Sequence, residues 1–217
     1  MEPAAFFDLD RTLITVNSGS LWVRRERRLG RISLRQTVEA TAMLLAYRLS
    51  VVDIDSSMRK ALSVYRGVQE ATLEAWTREW YYAEVAQHVS AGARAELEAA
   101  RRRGLSRILL TSSSPYASRV VCEHLGLDGY ISSRYAVRDG VLTGEPELPI
   151  CYGPGKVLHA EEYAAAHGID LDRSAFYSDS YTDLPMLRRV GEPRVVNPDL
   201  RLLLYARRRG WPVVHWR

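Results

Sequence analysis

Asp8 and Asp10 stand at the end of a short apolar run, Ala4-Ala5-Phe6-Phe7, with Thr12 two positions beyond. Strand side chains alternate between faces, so the two carboxylates can project to one side where the strand meets a loop. Like charges this close disfavour each other's ionisation. A divalent cation relieves that conflict, leaving one carboxylate free to attack and the other to carry a proton. A lone Asp-x-Asp pair reads first as a strand followed by a polar turn, so a chemical meaning rests on the rest of the chain.

Three later segments bring compatible chemistry. The apolar stretch Arg107–Thr111 runs into Ser112, Ser113 and Ser114 ahead of a helix opened by Pro115. Hydroxyls and free amides at a helix start can bind an anion, or simply cap the helix. Gly153-Pro154-Gly155 delivers Lys156 to another helix start, where the helix dipole disfavours a cation unless an anion lies nearby. Phe176-Tyr177-Ser178 leads to Asp179, with Asp183 four residues later as a further helix begins.

Strands alternating with helices after residue 89 predict an α/β fold with a doubly wound, mostly parallel sheet, whose carboxyl edge gathers these segments. The remaining strands are 4–8, around Tyr130 and Ile131, 175–178, 194–196 and Val213-Val214. Tyr135–Thr143 alternates around Asp139-Gly140, the signature of a small hairpin. Residues 17–88 instead carry helical periodicity. Ser18 or Ser20 caps a helix reaching Leu29. Ser33 caps a second, with Leu34, Val38, Ala42, Leu45 and Leu49 on one face. Asp53 opens a third, carrying Ile54, Met58, Leu62 and Tyr65, and a fourth from Glu70 carries Leu73, Trp76 and Trp80. An inserted helical bundle over 17–88 leaves 1–16 and 89–217 as the core.

The 217 residues are 47% hydrophobic, enough for a sizeable core, and carry a net charge of +4. Arg24, Arg25, Arg27, Arg28, Arg31 and Arg35 concentrate the charge, as do Arg101–Arg103 and Arg207–Arg209. Such runs read first as solvated helix faces, with an anionic ligand or peripheral membrane contact as the sharper option. No nucleic-acid motif accompanies them. Two cysteines, Cys122 and Cys151, make neither a disulfide framework nor a metal pair. No stretch suits a transmembrane segment or a secretory leader, so a cytoplasmic protein is expected.

In this order and context, the segments resemble the haloacid dehalogenase superfamily over nearly the whole chain. Asp8-Leu9-Asp10-Arg11-Thr12 resembles its first motif, Ser112 its second, Lys156 its third, and Asp179 with Asp183 its fourth. The helical insertion between the first and second resembles the C1-type cap of the phosphoserine phosphatase-like branch. So do the Ser-Asp-Ser-x-x-Asp-x-Pro-x-Leu string at 178–187 and Val196-Asn197-Pro198-Asp199. The resemblance implies a Rossmann-like core and a phosphatase that hydrolyses small phosphorylated metabolites through an aspartyl-phosphate. Asp8 would be the nucleophile, Asp10 the general acid and base, and Ser112 and Lys156 the holders of the phosphoryl oxygens. Thr12, Ser113 and Ser114, with Arg11 and Asn17, are the further substrate-binding candidates. Mg²⁺ would be held by Asp8, Asp10 (through its carbonyl), Asp179 and Asp183.

Two positions depart from the family pattern. Arg11 replaces the usual glycine. Asn17 stands where phosphoserine phosphatases carry a glutamate for the substrate amine, and a neutral amide cannot supply that charge. Substrate choice should then fall to the cap, where Trp22, Arg24, Arg25, Tyr47, Arg66, Trp76 and Trp80 are candidate lining residues and a cap arginine would suit an anionic leaving group. A phosphatase for a lipid phosphate at a membrane surface and a non-catalytic binding module with the same fold are the competing readings.

Overall fold

The computed structural model describes residues 1–48 and 53–216. Six parallel strands form the central sheet in the order β3-β2-β1-β6-β7-β8. In chain order, β1 (Ala4–Phe7) is followed by α1 (Ser18–Arg28), α2 (Leu34–Arg48), α3 (Ile54–Ser63) and α4 (Glu70–Trp80). A π-helical turn, Tyr81–Val85, extends α4 before α5 (Ala91–Arg102) and β2 (Ser106–Leu110). Then come α6 (Pro115–Leu125), β3 (Gly129–Ile131), and the antiparallel pair β4 (Arg134–Arg138) and β5 (Val141–Glu147). The chain ends with α7 (Pro154–His167), β6 (Ala175–Ser178), α8 (Leu184–Arg189), β7 (Glu192–Val196), α9 (Leu200–Arg209) and β8 (Val213–Val214).

Alternation along β1 divides the core between the two sheet faces. Ala5 and Phe7 pack with Leu97 of α5, Val120 and Val121 of α6, and Trp80 and Tyr81. Ala4 and Phe6 pack on the other face with Ala160 of α7, Met186 and Leu187 of α8, and Leu202 of α9. Each fully buried phenylalanine contributes about 1.5–3 kcal/mol. From β1 the chain adds β2 and β3 on one side, then crosses to add β6, β7 and β8 on the other. The switch point between β1 and β6 opens a crevice at the carboxyl ends of the strands.

Cap chemistry follows the predicted signals with one change. Asn17, rather than a serine, N-caps α1 by accepting from the Ser20 amide at 2.9 Å. Ser33 and Gln36 form a reciprocal capping box at α2. The predicted apolar face of α2 does not close into a bundle core: Leu34 and Val38 remain more than half exposed. The side chains of Leu45 and Tyr47, and all of Leu49, lie outside the described residues. Asp139 and Gly140 both take positive φ, as the tight turn between β4 and β5 requires.

That hairpin stands apart from the main sheet and clasps the helical insertion. Gly67 N donates to Leu142 O, Leu142 N to Val68 O, and Glu70 N to Gly140 O, at 2.8–2.9 Å. Leu73 of α4, Tyr116 of α6 and Leu142 of β5 form a buried cluster where the insertion, the core and the hairpin meet. Among the described residues no helix is long and apolar enough to cross a membrane. Truncating Leu73 to alanine leaves a void at this three-way junction and is expected to lower unfolding free energy by about 2–4 kcal/mol in urea titration. A loss below about 1 kcal/mol would mean that the junction carries little of the fold's stability.

Candidate active site

Register fixes the first contacts. Phe7 lies opposite Leu109 of β2 and Tyr177 of β6, so the next residues of all three strands emerge side by side. Asp8 follows β1 directly, Thr111 and Ser112 follow β2, and Asp179 follows β6. Lys156 enters from the first turn of α7 and is 2% exposed. Its Nζ donates to Asp8 Oδ1 and to Asp183 Oδ2, each at 2.7 Å. The Ser178 hydroxyl donates to the same Asp183 oxygen at 2.7 Å.

Asp10 is held by the start of α1. Its Oδ1 accepts from the Ser18 amide at 2.9 Å and its Oδ2 from Asn17 Nδ2 at 3.0 Å. The other end of the Asn17 amide accepts from the Ser20 amide and hydroxyl. Val196-Asn197-Pro198-Asp199 braces both acid loops. Asp199 N donates to Asp179 O, Tyr181 N donates to Asp199 Oδ2, and Asn197 Nδ2 donates to Arg11 O. Arg11 has φ of 60°, inside the left-handed region, which is the physical reason a glycine is usual at this position.

Asp8, Asp10, Arg11, Asn17, Ser112, Lys156, Asp179 and Asp183 line one cavity of about 600 Å³, together with residues not among the sequence candidates. Thr111, Ser180 and Thr182 complete the core side, and Ser20 belongs to α1. Thr37, Val38, Thr41, Ala42 and Leu44 of α2 form the opposite wall. Of these, Val38 and Ala42 belong to the apolar face read from the sequence, where it reads as a packing face. Ser113 and Ser114 do not line this cavity. They border a second one of about 180 Å³, with Trp22, Tyr65, Trp80 and Tyr135, and Ser112 touches both. Ser114 also caps α6 through the Ala117 amide. Thr12 is buried away from the cavity, with its hydroxyl unpartnered.

The proposed cap lining is displaced in the same way. Among the described residues, none of Trp22, Arg24, Arg25, Arg66, Trp76 and Trp80 borders the larger cavity. Arg25 is buried against Glu79 at 3.2 Å, and Arg66 pairs with Glu145 at 3.1 Å. The Arg31 guanidinium lies 3.6 Å from the Trp76 ring centroid. Arg24 is exposed. Ion pairs claim Arg25 and Arg66, and no arginine among the described residues of 17–88 lines the cavity.

Charge in the crevice is unbalanced. Asp8, Asp10, Asp179 and Asp183 face only Lys156 and Arg11. Burial raises the Asp8 carboxyl to about 7 despite Lys156, with Asp183 and Asp10 adding to the rise. Burial also raises Asp10, against its hydrogen bonds from Ser18 and the charge of Arg11. Asp179 rises through burial and the charges of Asp8 and Asp183. Burial alone would lower the Lys156 ammonium, but Asp183 and Asp8 outweigh it and keep it charged. Hard oxygen donors with excess negative charge fit Mg²⁺. Among the described residues no three acid, imidazole or thiol side chains converge as a metal cluster. A partial carboxylate shell suits Mg²⁺, which usually retains several waters.

The folded-state pKa of Asp8, near 7, lies above its ordinary 3.8. The folded state therefore binds more protons in that window, and this group's contribution to metal-free stability falls as pH rises through it. Replacing Lys156 with methionine strands Asp8 and Asp183 without their cation. Metal-free unfolding titrations are expected to lose about 3–5 kcal/mol at pH 7.5 and clearly less at pH 5, where Asp8 is protonated. Equal losses at both pH values would contradict this electrostatic account.

Comparison with known proteins agrees with this geometry. The haloacid dehalogenase-like hydrolase family profile matches residues 5–188. A phosphoserine phosphatase of Mycobacterium tuberculosis is 33% identical over 220 residues, covering 99% of this chain and 71% of that one. A histidinol-phosphatase of Neisseria meningitidis serogroup C is 28% identical over 222 residues, covering 100% of both. A Bordetella pertussis Tohama I protein of unknown function superposes with a TM-score of 0.89 at 25% identity, covering 99% of this chain and 98% of that one. The chain belongs to the haloacid dehalogenase family and is a phosphatase of its phosphoserine phosphatase-like branch.

Proposed function

We propose that the chain is a Mg²⁺-dependent phosphomonoester hydrolase that works through an aspartyl-phosphate on a small phosphorylated metabolite, with residues 17–88 acting as the cap over a core of 1–16 and 89–217. The observation that carries this reading is the pair of 2.7 Å contacts by which Lys156 orients Asp8 and Asp183. They stand in one cavity with Asp10, Ser112 and Asp179.

Asp8 attacks phosphorus through a carboxylate oxygen, forming the acyl-phosphate as the ester oxygen leaves. Asp10 gives its proton to that oxygen, and its raised pKa suits a group that must hold a proton until then. As a carboxylate, Asp10 then takes a proton from the water that attacks the acyl-phosphate, which releases phosphate and restores Asp8. Ser112 and Lys156 bind the phosphoryl oxygens as charge redistributes over them. Asp8 and Asp179, with the Asp10 carbonyl, would hold Mg²⁺, and Asp183 would orient its water; the ion would offset the negative charge of the phosphoryl group.

Phosphoserine is poorly served by this cavity. Asn17 uses its amide nitrogen on Asp10 and its amide oxygen on Ser20, so it offers an ammonium neither charge nor an uncommitted partner. Relatives of comparable identity carry names for different substrates, phosphoserine and histidinol phosphate. The same core chemistry can thus serve different alcohols, and in this chain the α2 wall with Arg11 is what the alcohol portion would meet.

A panel of phosphate esters assayed with Mg²⁺ tests the reading. Turnover is expected to require Mg²⁺ and to vanish in Asp8→Asn. Ser112→Ala should lower kcat by roughly 100-fold, about 3 kcal/mol in the barrier. Wild-type rates in Asp8→Asn would overturn the mechanism.

A further inference from the structure

Arg11 combines a strained backbone with a guanidinium whose charge reaches Asp10 and Asp179 without pairing to either. Left-handed φ is rare for residues other than glycine, asparagine and aspartate, and it persists where the surroundings impose it. Here they do: Arg11 N donates to Val16 O at 3.2 Å, and Asn197 Nδ2 donates to Arg11 O at 3.3 Å. With φ fixed at 60°, the side chain lines the same cavity as Asp8, Asp10 and Ser112.

Its guanidinium makes no hydrogen bond and no ion pair among the described residues. The other cation of the lining, Lys156, is committed to Asp8 and Asp183. The facing wall of α2 supplies Thr37, Val38, Thr41, Ala42 and Leu44, none of them charged. A second negative charge on a substrate whose phosphoryl group sits at Asp8 therefore has one available partner in the described lining.

We propose that Arg11 is a specificity-determining residue whose guanidinium binds a carboxylate or second phosphate on the alcohol portion of the phosphate ester. This rests on the phosphatase reading above and adds a substrate class to it. The planar guanidinium fork pairs with either anion in a bidentate manner, which a neutral leaving group cannot exploit.

Three esters of one chain length separate the possibilities: propane-1,3-diol monophosphate, 3-phosphooxypropanoate and propane-1,3-diol bisphosphate. Wild type, Arg11→Gly and Arg11→Lys are compared by kcat and KM, with melting temperatures alongside. Glycine adopts positive φ without strain, so the Gly variant is expected to keep its fold. Wild type should favour at least one anionic ester over the neutral one by about tenfold or more in kcat/KM, chiefly through KM. Arg11→Gly should bring that ratio close to one, and Arg11→Lys should retain part of it. Preference for the propanoate alone assigns a phosphorylated acid, and preference for the bisphosphate alone assigns a bisphosphate. An unchanged ratio in Arg11→Gly, or an equal fall for all three esters, overturns the inference while leaving the phosphatase reading in place. Absence of Mg²⁺-dependent turnover of every ester overturns both.

Discussion

A lysine ammonium buried at 2% exposure keeps its charge because carboxylates surround it and outweigh the cost of its burial. Lys156 meets that condition by touching Asp8 and Asp183 together. The contact joins three elements that are far apart in sequence: the end of β1, the start of α7 and the start of α8. It engages Oδ1 of Asp8, so in the proposed mechanism Oδ2 is the oxygen left for attack. Sheet order, strand register and the helix starts all serve to bring these groups to one point.

Asp10, the proposed general acid and base, is supported from a different direction. Asp10 is gripped by Ser18 and Asn17, the first residues of the helical insertion, instead of by the sheet. The insertion is in turn fastened at its far end to the β4–β5 hairpin and to α6 through Leu73, Leu142 and Tyr116. The helix that forms one wall of the cavity thus belongs to the same segment that holds Asp10, the proposed general acid. Substrate fit at the α2 wall and orientation of Asp10 share one support, which is a physical route by which the identity of the alcohol can affect the rate as well as binding.

Much of this was legible in the residues. Alternation in Ala4–Phe7, the positive-φ pair Asp139-Gly140, and helix starts at Ser33, Asp53 and Pro115 are local signals, and the backbone obeys them. Asp8, Asp10, Ser112, Lys156, Asp179 and Asp183 were identifiable because each follows a strand or opens a helix, and an α/β sheet has one edge at which to gather them. The cavity wall was not. Leu34, Val38 and Ala42 recur like a packing face, and periodicity marks an apolar face without saying whether protein or substrate covers it. Arg25 and Arg66 do not line the larger cavity because ion pairs set by tertiary packing claim them, and Trp22 and Trp80 pack on each other beside the smaller one. Ser113, Ser114 and Thr12 sit beside the motif in sequence but turn away from it, since neighbours on a turn or helix start point in different directions. Asn17 was noticed for the charge it lacks, while its capping and its grip on Asp10 depend on a loop geometry no spacing reveals.

The central claim is that Asp8 becomes covalently phosphorylated while Asp10 manages the proton. Acid-quenching the enzyme during turnover and mapping peptides by mass spectrometry tests it directly. A phosphoryl adduct is expected on Asp8, accumulating further in Asp10→Asn with an aryl phosphate, whose leaving group departs without a proton while hydrolysis of the acyl-phosphate lacks its base. Sustained turnover with no adduct, or an adduct on any other residue, would contradict the account.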